Sequence, residues 1–585
     1  MIEFSGWPAG TSGLTWSQSA MWDLIGWRAP HDAYLNIPAT IDVTAASDPA
    51  QVVAALTAVL RRHDALRTRY GFDADGEATQ TVAGQGRLVV TVDEADAGQD
   101  TAATAMTVAL DLGRLPFTAS ELPVRASVVT VAGRPRFLAM SIYHVSVDLW
   151  CLDVIERDVQ QSLAAVLDGV PAPTLPPAPA PAEQVEHERA TVTRNRSERA
   201  LRYWARELRA LPNEQFPAPR RRPDTPRYRE AALRSEAVTV ASRVLARRLR
   251  VGPPAVPLAA FAVLRALMAD SPSCHFNVLT ANRHAPRSRE LVCDLTQPVP
   301  MRVELCGESF ADAVVRTARA SLNAYRHGHY DPRRVPALVD AIRAECGRNL
   351  DLGCTVNTAR IDTAAGWRAG PTPTPQQIRR LPAASTFWWR GTHDDLDLAL
   401  LFQVMPWQDG TLLSLWADTE RLSTSDIRAM LLTIEQIVVE GAADDALGIG
   451  DIRRMCPGLL RTPDPGLVRV GPAWIDVPAV RELVRTALPA PDVAVFVRRR
   501  PDADATVEAY LVAEHEGMTP ERAHEACVAA LGRERRVATP DRYVVCAAAP
   551  DDRTDREGWL RLAVRSGSGR PATVVAPDPV DTRAR

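Results

Sequence analysis

Between residues 149 and 167, Leu152, Ile155, Val159, Leu163 and Val166 recur at three- and four-residue spacing, which gathers them on one face of a helix. Asp148 stands where a side chain caps the first turn, and Gly169 where a helix commonly ends. Just upstream, residues 137–142 (FLAMSI) are a short apolar run of the kind a buried strand shows. Farther along, strand-like runs at 275–279 and 396–404 alternate with helical periodicity at 311–325 and 425–440. That alternation predicts mixed α/β layers. Two stretches interrupt it. Residues 169–181 (GVPAPTLPPAPAP) are too rich in proline for helix or central strand. Residues 456–472 carry Pro457, Pro463, Pro465 and Pro472 without periodicity. Beyond them, a helix at 478–487, strands at 493–497 and 506–513, a helix at 520–531 and a strand from 540 make a smaller α+β pattern. No repeat at solenoid period interrupts the series.

Composition narrows the function classes. The 585 residues are 46% hydrophobic and 24% charged, the balance of a globular protein, and the net charge of -3 gives no reason to expect nucleic acid or an anionic membrane as partner. All 68 basic residues are arginine. A P-loop lysine, a Schiff base and a lysine clamping an adenylate are thereby excluded. The nine cysteines form no CxxC pair and are odd in number, so neither a zinc ribbon nor a disulfide framework is expected. They read as small buried residues of a reducing compartment. The first residues lack signal-peptide order and no apolar run reaches membrane-spanning length, so a soluble cytoplasmic protein is expected.

The segment richest in chemistry is YHVSVDL, residues 143–149, at the end of the apolar run and the start of the predicted helix. His144 at a strand-to-turn corner with Asp148 four residues on is placed for acid/base work. Alone it is weak, because Asp148 is already explained as a helix cap. His327 and His329 (RHGHYD) have no third ligand nearby, so packing is favoured and no metal is expected. Trp388 and Trp389, adjacent on a strand, should point to opposite sides and serve packing. Ser12 and Ser568 do not complete GxSxG, and no carrier-protein serine motif is present.

Other segments change the weight of YHVSVDL: LTWSQ at 14–18 with Trp22, RHDALRT at 62–68, Tyr203-Trp204 and Ala281-Asn282-Arg283. In order and spacing these resemble the motifs of nonribosomal peptide synthetase condensation domains over residues 10–455, with YHVSVDL in the place of HHxxxDG. The resemblance implies an α/β fold of two chloramphenicol acetyltransferase-like lobes set in a V with a tunnel through the cleft. Residues 1–170 would be the first lobe and 171–455 the second, with the proline-rich 169–181 as the crossing. It implies that His144 is the catalytic residue, handling the proton of the attacking amine or holding the amine for attack. Asp148 would be structural, paired with an arginine of the second lobe, here Arg283. Two positions depart from the family: Tyr143 replaces the first histidine, affecting packing more than chemistry, and Leu149 replaces a glycine, which should narrow the tunnel. Asn357 matches a strand on the acceptor side and is a substrate contact by that analogy.

After a linker at 456–467, residues 468–565 resemble the small C-terminal subdomain of adenylation enzymes. There Arg553 stands at the position of that family's lysine, and the large adenylation core is missing; this tail reads as a relic used for docking or stability. Residues 566–585 should be disordered. The resemblance thus implies a stand-alone acyltransferase of natural-product (antibiotic) biosynthesis. It would form an amide or ester between an acyl or aminoacyl donor on the phosphopantetheine of a carrier protein and an amine or hydroxyl acceptor, either free or carrier-bound. No cofactor is expected on this chain. A non-catalytic docking module and a coenzyme A-dependent acyltransferase are the alternatives.

Overall fold

A computed structural model describes residues 1–571 except 171–173, 306, 308, 359–372, 408–409, 489, 491, 501–502 and 513–516. Helices and strands alternate throughout, and the chain divides into two compact units. Unit 1 comprises Met1–Arg199, Thr280–Gln297 and Gly328–Val335; unit 2 comprises Ala200–Leu279, Pro298–His327 and the residues from Pro336 onward.

In unit 1 the strands β1 (Ile37–Asp42), β2 (Val90–Glu94), β3 (Val124–Val131) and β4 (Arg134–Ile142) form a sheet in the order β1-β4-β3-β2. The helix α1 (Leu149–Leu167) spans the predicted range, and Asp148 caps it by accepting from Cys151 N at 3.2 Å. Its apolar stripe, with Ile155, Val159 and Leu163 fully enclosed, packs with Val52, Leu56 and Val59 of the helix Pro49–Arg62 against Leu138 and Met140 of β4. The boundary expected at 170 falls instead at 199. Residues 174–180 form neither helix nor strand and 171–173 lie outside the described residues, but Pro181 opens a new helix, Pro181–Arg189, at its permissive first position. That helix stays with unit 1 because buried Glu188 accepts the Trp16 N–H at 2.7 Å, the Gln184 amide at 2.9 Å and pairs with His329 at 3.1 Å.

Unit 2 is built on β5 (Tyr228–Ser235), β6 (Ser273–Thr280), β7 (Gln297–Glu304), β8 (Cys354–Thr358), β9 (Thr386–His393), β10 (Leu400–Trp407) and β11 (Gly410–Asp418), ordered β7-β6-β8-β10-β11-β5-β9. The run expected at 396–404 begins at Leu400, because the aspartate-rich 394–399 forms bends. Strict alternation on β10 buries Leu400, Phe402 and Val404 and leaves Leu401, Gln403 and Met405 half-buried. Phe402 stacks on Phe261 of the helix Ala255–Met268 at 4.8 Å, so helices cover that face.

The tail carries a four-stranded sheet of Val493–Arg500, Ala503–Val512, Arg542–Cys546 and Ala563–Gly567, with helices Val477–Ala487 and Pro520–Ala530 and a core of its own around Val484, Leu511, Cys527 and Tyr543. It is grouped with unit 2, where Arg535 pairs with Asp351 at 2.7 Å and the Asn213 amide donates to Trp474 O and Arg535 O. Order persists past 566, since the last strand runs to Gly567 and Arg570 pairs with Asp541 at 2.8 Å. Residues 572–585 of the expected disordered tail, and 513 of an expected strand, lie outside the described residues.

Candidate active site

The site sits where β4 hands over to α1. Tyr143 N–H donates to Pro123 O at 2.9 Å, prolonging the sheet by one bond, and the chain then makes a tight turn, His144–Ser146, before Asp148 starts the helix. His144 is half-buried. Its Nδ1 is enclosed without a well-formed hydrogen bond. Burial lowers the imidazole below its ordinary value, against smaller upward pulls from the backbone of His144 and Val147 and the charge of Asp148. It is therefore neutral near pH 7 and able to accept a proton. It is also more enclosed than a residue facing open solvent.

Asp148 is 2% exposed and saturated. Arg283 Nη2 donates to both oxygens at 2.8 Å. Cys151 N and Sγ donate to Oδ1 at 3.2 and 3.1 Å, and Leu295 N and Thr296 Oγ1 to Oδ2 at 3.1 and 3.3 Å. Burial alone would raise this carboxyl; the Arg283 charge and these donors overcome it and hold Asp148 below the usual range. A carboxylate with no lone pair to spare orients its neighbours and does not take protons from substrate. Arg283 comes from Thr280–Gln297, which belongs to unit 1 with Asp148, so the pair is internal to one unit and not supplied by the second lobe as expected. Its other nitrogen donates to Ser288 O at 2.7 Å and to Leu291 O at 2.5 Å, and Nη2 also reaches Cys293 O at 2.7 Å.

Tyr143 is buried beside Ile25, Tyr70, Phe117 and Val145. It stacks on Phe117 at 5.1 Å, meets Tyr70 edge-on at 6.1 Å, and burial pushes its phenol up to about 12. Leu149, in the first turn of α1, is 43% exposed. Asn357 lies on β8 in unit 2 and is half-buried. His327 and His329 part company. His327 stacks on Tyr203 at 4.4 Å in unit 2, and His329 pairs with Glu188 in unit 1. Among the described residues no group of three or more His, Cys, Asp and Glu could hold a metal.

Two features lay beyond sequence reasoning. The Tyr70 hydroxyl bonds Ser146 Oγ at 2.8 Å and receives the Gln18 amide at 3.4 Å, bracing the turn that carries His144. Asp294, fully buried, accepts Thr296 N at 3.0 Å on Oδ1, while Oδ2 has no partner among the described residues. Burial and the neighbouring Asp148 charge raise Asp294 well above the usual range, while Asp148, paired with Arg283, is held below it.

Residues 9–345 match the sequence model of the condensation-domain family. The chain is a member of that family. It is 31% identical over 227 residues to the probable non-canonical nonribosomal peptide synthetase CymA of Salinispora arenicola, covering 37% of this chain and 3% of that one. It is 27% identical over 342 residues to phosphinothricin tripeptide synthetase PhsC of Streptomyces viridochromogenes, covering 57% and 31%. The chain thus corresponds to under a third of those synthetases' length. Among solved structures, the first condensation domain of the calcium-dependent antibiotic synthetase superposes with TM-score 0.59 at 17% identity, covering 76% of this chain and 98% of that domain. The SgcC5 protein of Streptomyces globisporus gives 0.57 at 17%, covering 74% and 99%. The condensation domain therefore has its expected fold here, the chloramphenicol acetyltransferase-like two-lobe α/β fold. Among the described residues no helix is long and apolar enough to cross a membrane.

Proposed function

We propose that this condensation domain joins a carrier-protein-tethered acyl or aminoacyl thioester to an amine or hydroxyl acceptor in trans, with His144 as the residue that handles the acceptor's proton. The observation that carries this reading is the division of labour at the turn. Asp148 has every lone pair engaged, and His144 is a neutral base with Nδ1 enclosed, which leaves Nε2 to meet substrate. The acceptor nitrogen or oxygen attacks the thioester carbonyl and its proton passes to His144 Nε2. The C–S bond then breaks, and the proton leaves with the thiolate as the free thiol of the carrier's phosphopantetheine arm. Neutral His144 is regenerated, so the chain needs no cofactor of its own. Arg283, Asp148 and the Tyr70–Ser146 pair hold the turn; Tyr143 fills the space beneath it. We read the tail, whose Arg553 is exposed and engaged with Asp492 at 2.6 Å, as a docking or stabilising element.

The test offers one acyl group on a carrier protein and on free coenzyme A. The condensation reading expects a much higher kcat/KM for the carrier-bound form. Equal or better use of coenzyme A would replace it with a coenzyme A-dependent acyltransferase, and no turnover with any loaded carrier would leave a docking module.

A further inference from the structure

Beside the turn that carries His144, the aromatic rings of unit 1 do not close on one another. Trp22, Tyr70, Phe117 and Tyr143 line a pocket of about 330 Å³ that reaches the surface at Thr118 and Ala119, both exposed. Trp22 and Tyr70 stand 6.1 Å apart at 34°, Tyr70 and Tyr143 6.1 Å apart at 76°, and Phe117 and Tyr143 5.1 Å apart at 27°. Flat rings meeting at such unlike angles leave space between them, where protein interiors are otherwise close-packed. Exposed Phe72 meets Trp22 edge-on at 5.8 Å and carries the aromatic wall toward solvent. Every residue of the pocket belongs to unit 1.

The polar groups around this space are spent unevenly. Glu121 accepts from Thr118 N at 2.7 Å and from Arg125 Nη2 at 2.8 Å, and Thr68 Oγ1 donates to Asp64 O at 2.8 Å. The Tyr70 hydroxyl is held by Ser146 and Gln18. Donors are what remain. Tyr143 is 8% exposed, yet among the described residues nothing bonds its hydroxyl. A phenol buried to that degree ordinarily finds a partner. Arg69 gives its Nε to Ser120 O at 3.0 Å, and among the described residues nothing takes its terminal nitrogens. A ligand matched to this pocket therefore brings a flat ring for the aromatic walls and an oxygen acceptor for the phenol. The charge of Asp32 bears on the same phenol, so a neutral carbonyl fits there better than a carboxylate. His144 is not among the described residues lining the pocket, so a ring held here does not take the place of the reacting carbonyl.

We propose that this pocket is a binding site for a small aromatic compound bearing a neutral carbonyl, an aryl amide or aryl ketone, held by contacts with the rings of Trp22, Phe117 and Tyr143 and by a hydrogen bond from the Tyr143 hydroxyl. The site is separate from the one that handles the acceptor's proton, and it stands whichever acyl transfer the chain performs.

The test is calorimetry on the full chain with benzamide and with cyclohexanecarboxamide, which keeps the carbonyl and loses the flat ring. Benzamide should bind with a Kd of about 1 mM or tighter, within reach of so small a ligand. Cyclohexanecarboxamide should bind about threefold more weakly or worse, the range for aromatic pairing. Tyr143→Phe keeps the ring and removes the hydroxyl; it should weaken benzamide about fivefold at a melting temperature close to wild type. Trp22→Leu, which removes one wall, should weaken it further, and if that variant does not fold, Tyr143→Phe decides alone. Absence of benzamide binding by wild type, equal binding of the two compounds, or an affinity unchanged in either folded variant would overturn the proposal.

Discussion

Two carboxylate–arginine pairs differ in how fully they are enclosed. Asp148 and Arg283 have side chains 3% and 2% exposed, and every oxygen and most N–H groups of the pair are engaged. Glu230 is also buried, but Arg390 is 44% exposed and one carboxylate oxygen has no partner among the described residues. The Asp148 carboxylate has no lone pair left for a substrate, although the buried Arg283 Nε has no partner among the described residues, and the pair fixes the shape of the turn that carries His144. The second is open to solvent on the arginine's side, so it holds its surroundings less tightly.

The sharpest way to break the comparison is to open the saturated pair. Arg283→Ala should cost about 3–5 kcal/mol in chemical denaturation, the range for leaving a buried charge unpaired. It should cost more than Asp148→Ala, because it strands the buried Asp148 carboxylate while the loss of Asp148 leaves Arg283 its carbonyl acceptors. The double variant should be less damaged than the sum of the singles. Strict additivity would mean the pair does not act as a unit. Next in size, Tyr143→His should lower stability by about 1–3 kcal/mol through lost packing on Phe117 and Tyr70 while leaving turnover largely intact. Arg390→Ala, removing the exposed half of the open pair, should cost only about 1 kcal/mol. A loss as large as that of Arg283→Ala would erase the distinction drawn here.

The smallest effect is a pH dependence. The folded-state value of Asp294 is raised, so its contribution is fully present below the ordinary carboxylate value and declines as pH rises toward the folded value. Asp148, held low, contributes above the ordinary value and loses that contribution as pH falls. Asp294→Asn should therefore gain stability relative to wild type at pH 8 over pH 5, and denaturation at the two pH values measures it. An unchanged difference would mean that Asp294 is ionised in both.

What could be read in the sequence was local. Asp148 is legible as a cap because helical periodicity starts at the next residue, and the strand before His144 is legible as an apolar run. Arg283 could be named only through family resemblance, since nothing in ANRHAPRS announces a buried cation. Asp294 in LVCDLTQ reads as a loop aspartate. It is buried because Thr280–Gln297 folds into unit 1, a tertiary event without a local signature. The proline-rich stretch marked a break in helix but not the unit boundary, because the contacts of Glu188 hold the next helix back. The strand at 400–407 lay largely within an expected strand-like run, whereas that of Asn357 was placed only through the family resemblance. That Asn357, Gln403, Ser414 and Glu230 share a face depends on register between strands far apart in sequence, which no single strand encodes.

The central claim, that His144 moves the proton in a carrier-dependent condensation, is tested most directly by product formation from one carrier-bound donor with wild type and His144→Ala. A loss of about 10²-fold or more, the range for a positioned general base, at an unchanged melting temperature is the predicted result. Equal turnover by the two proteins on the same loaded carrier would contradict it.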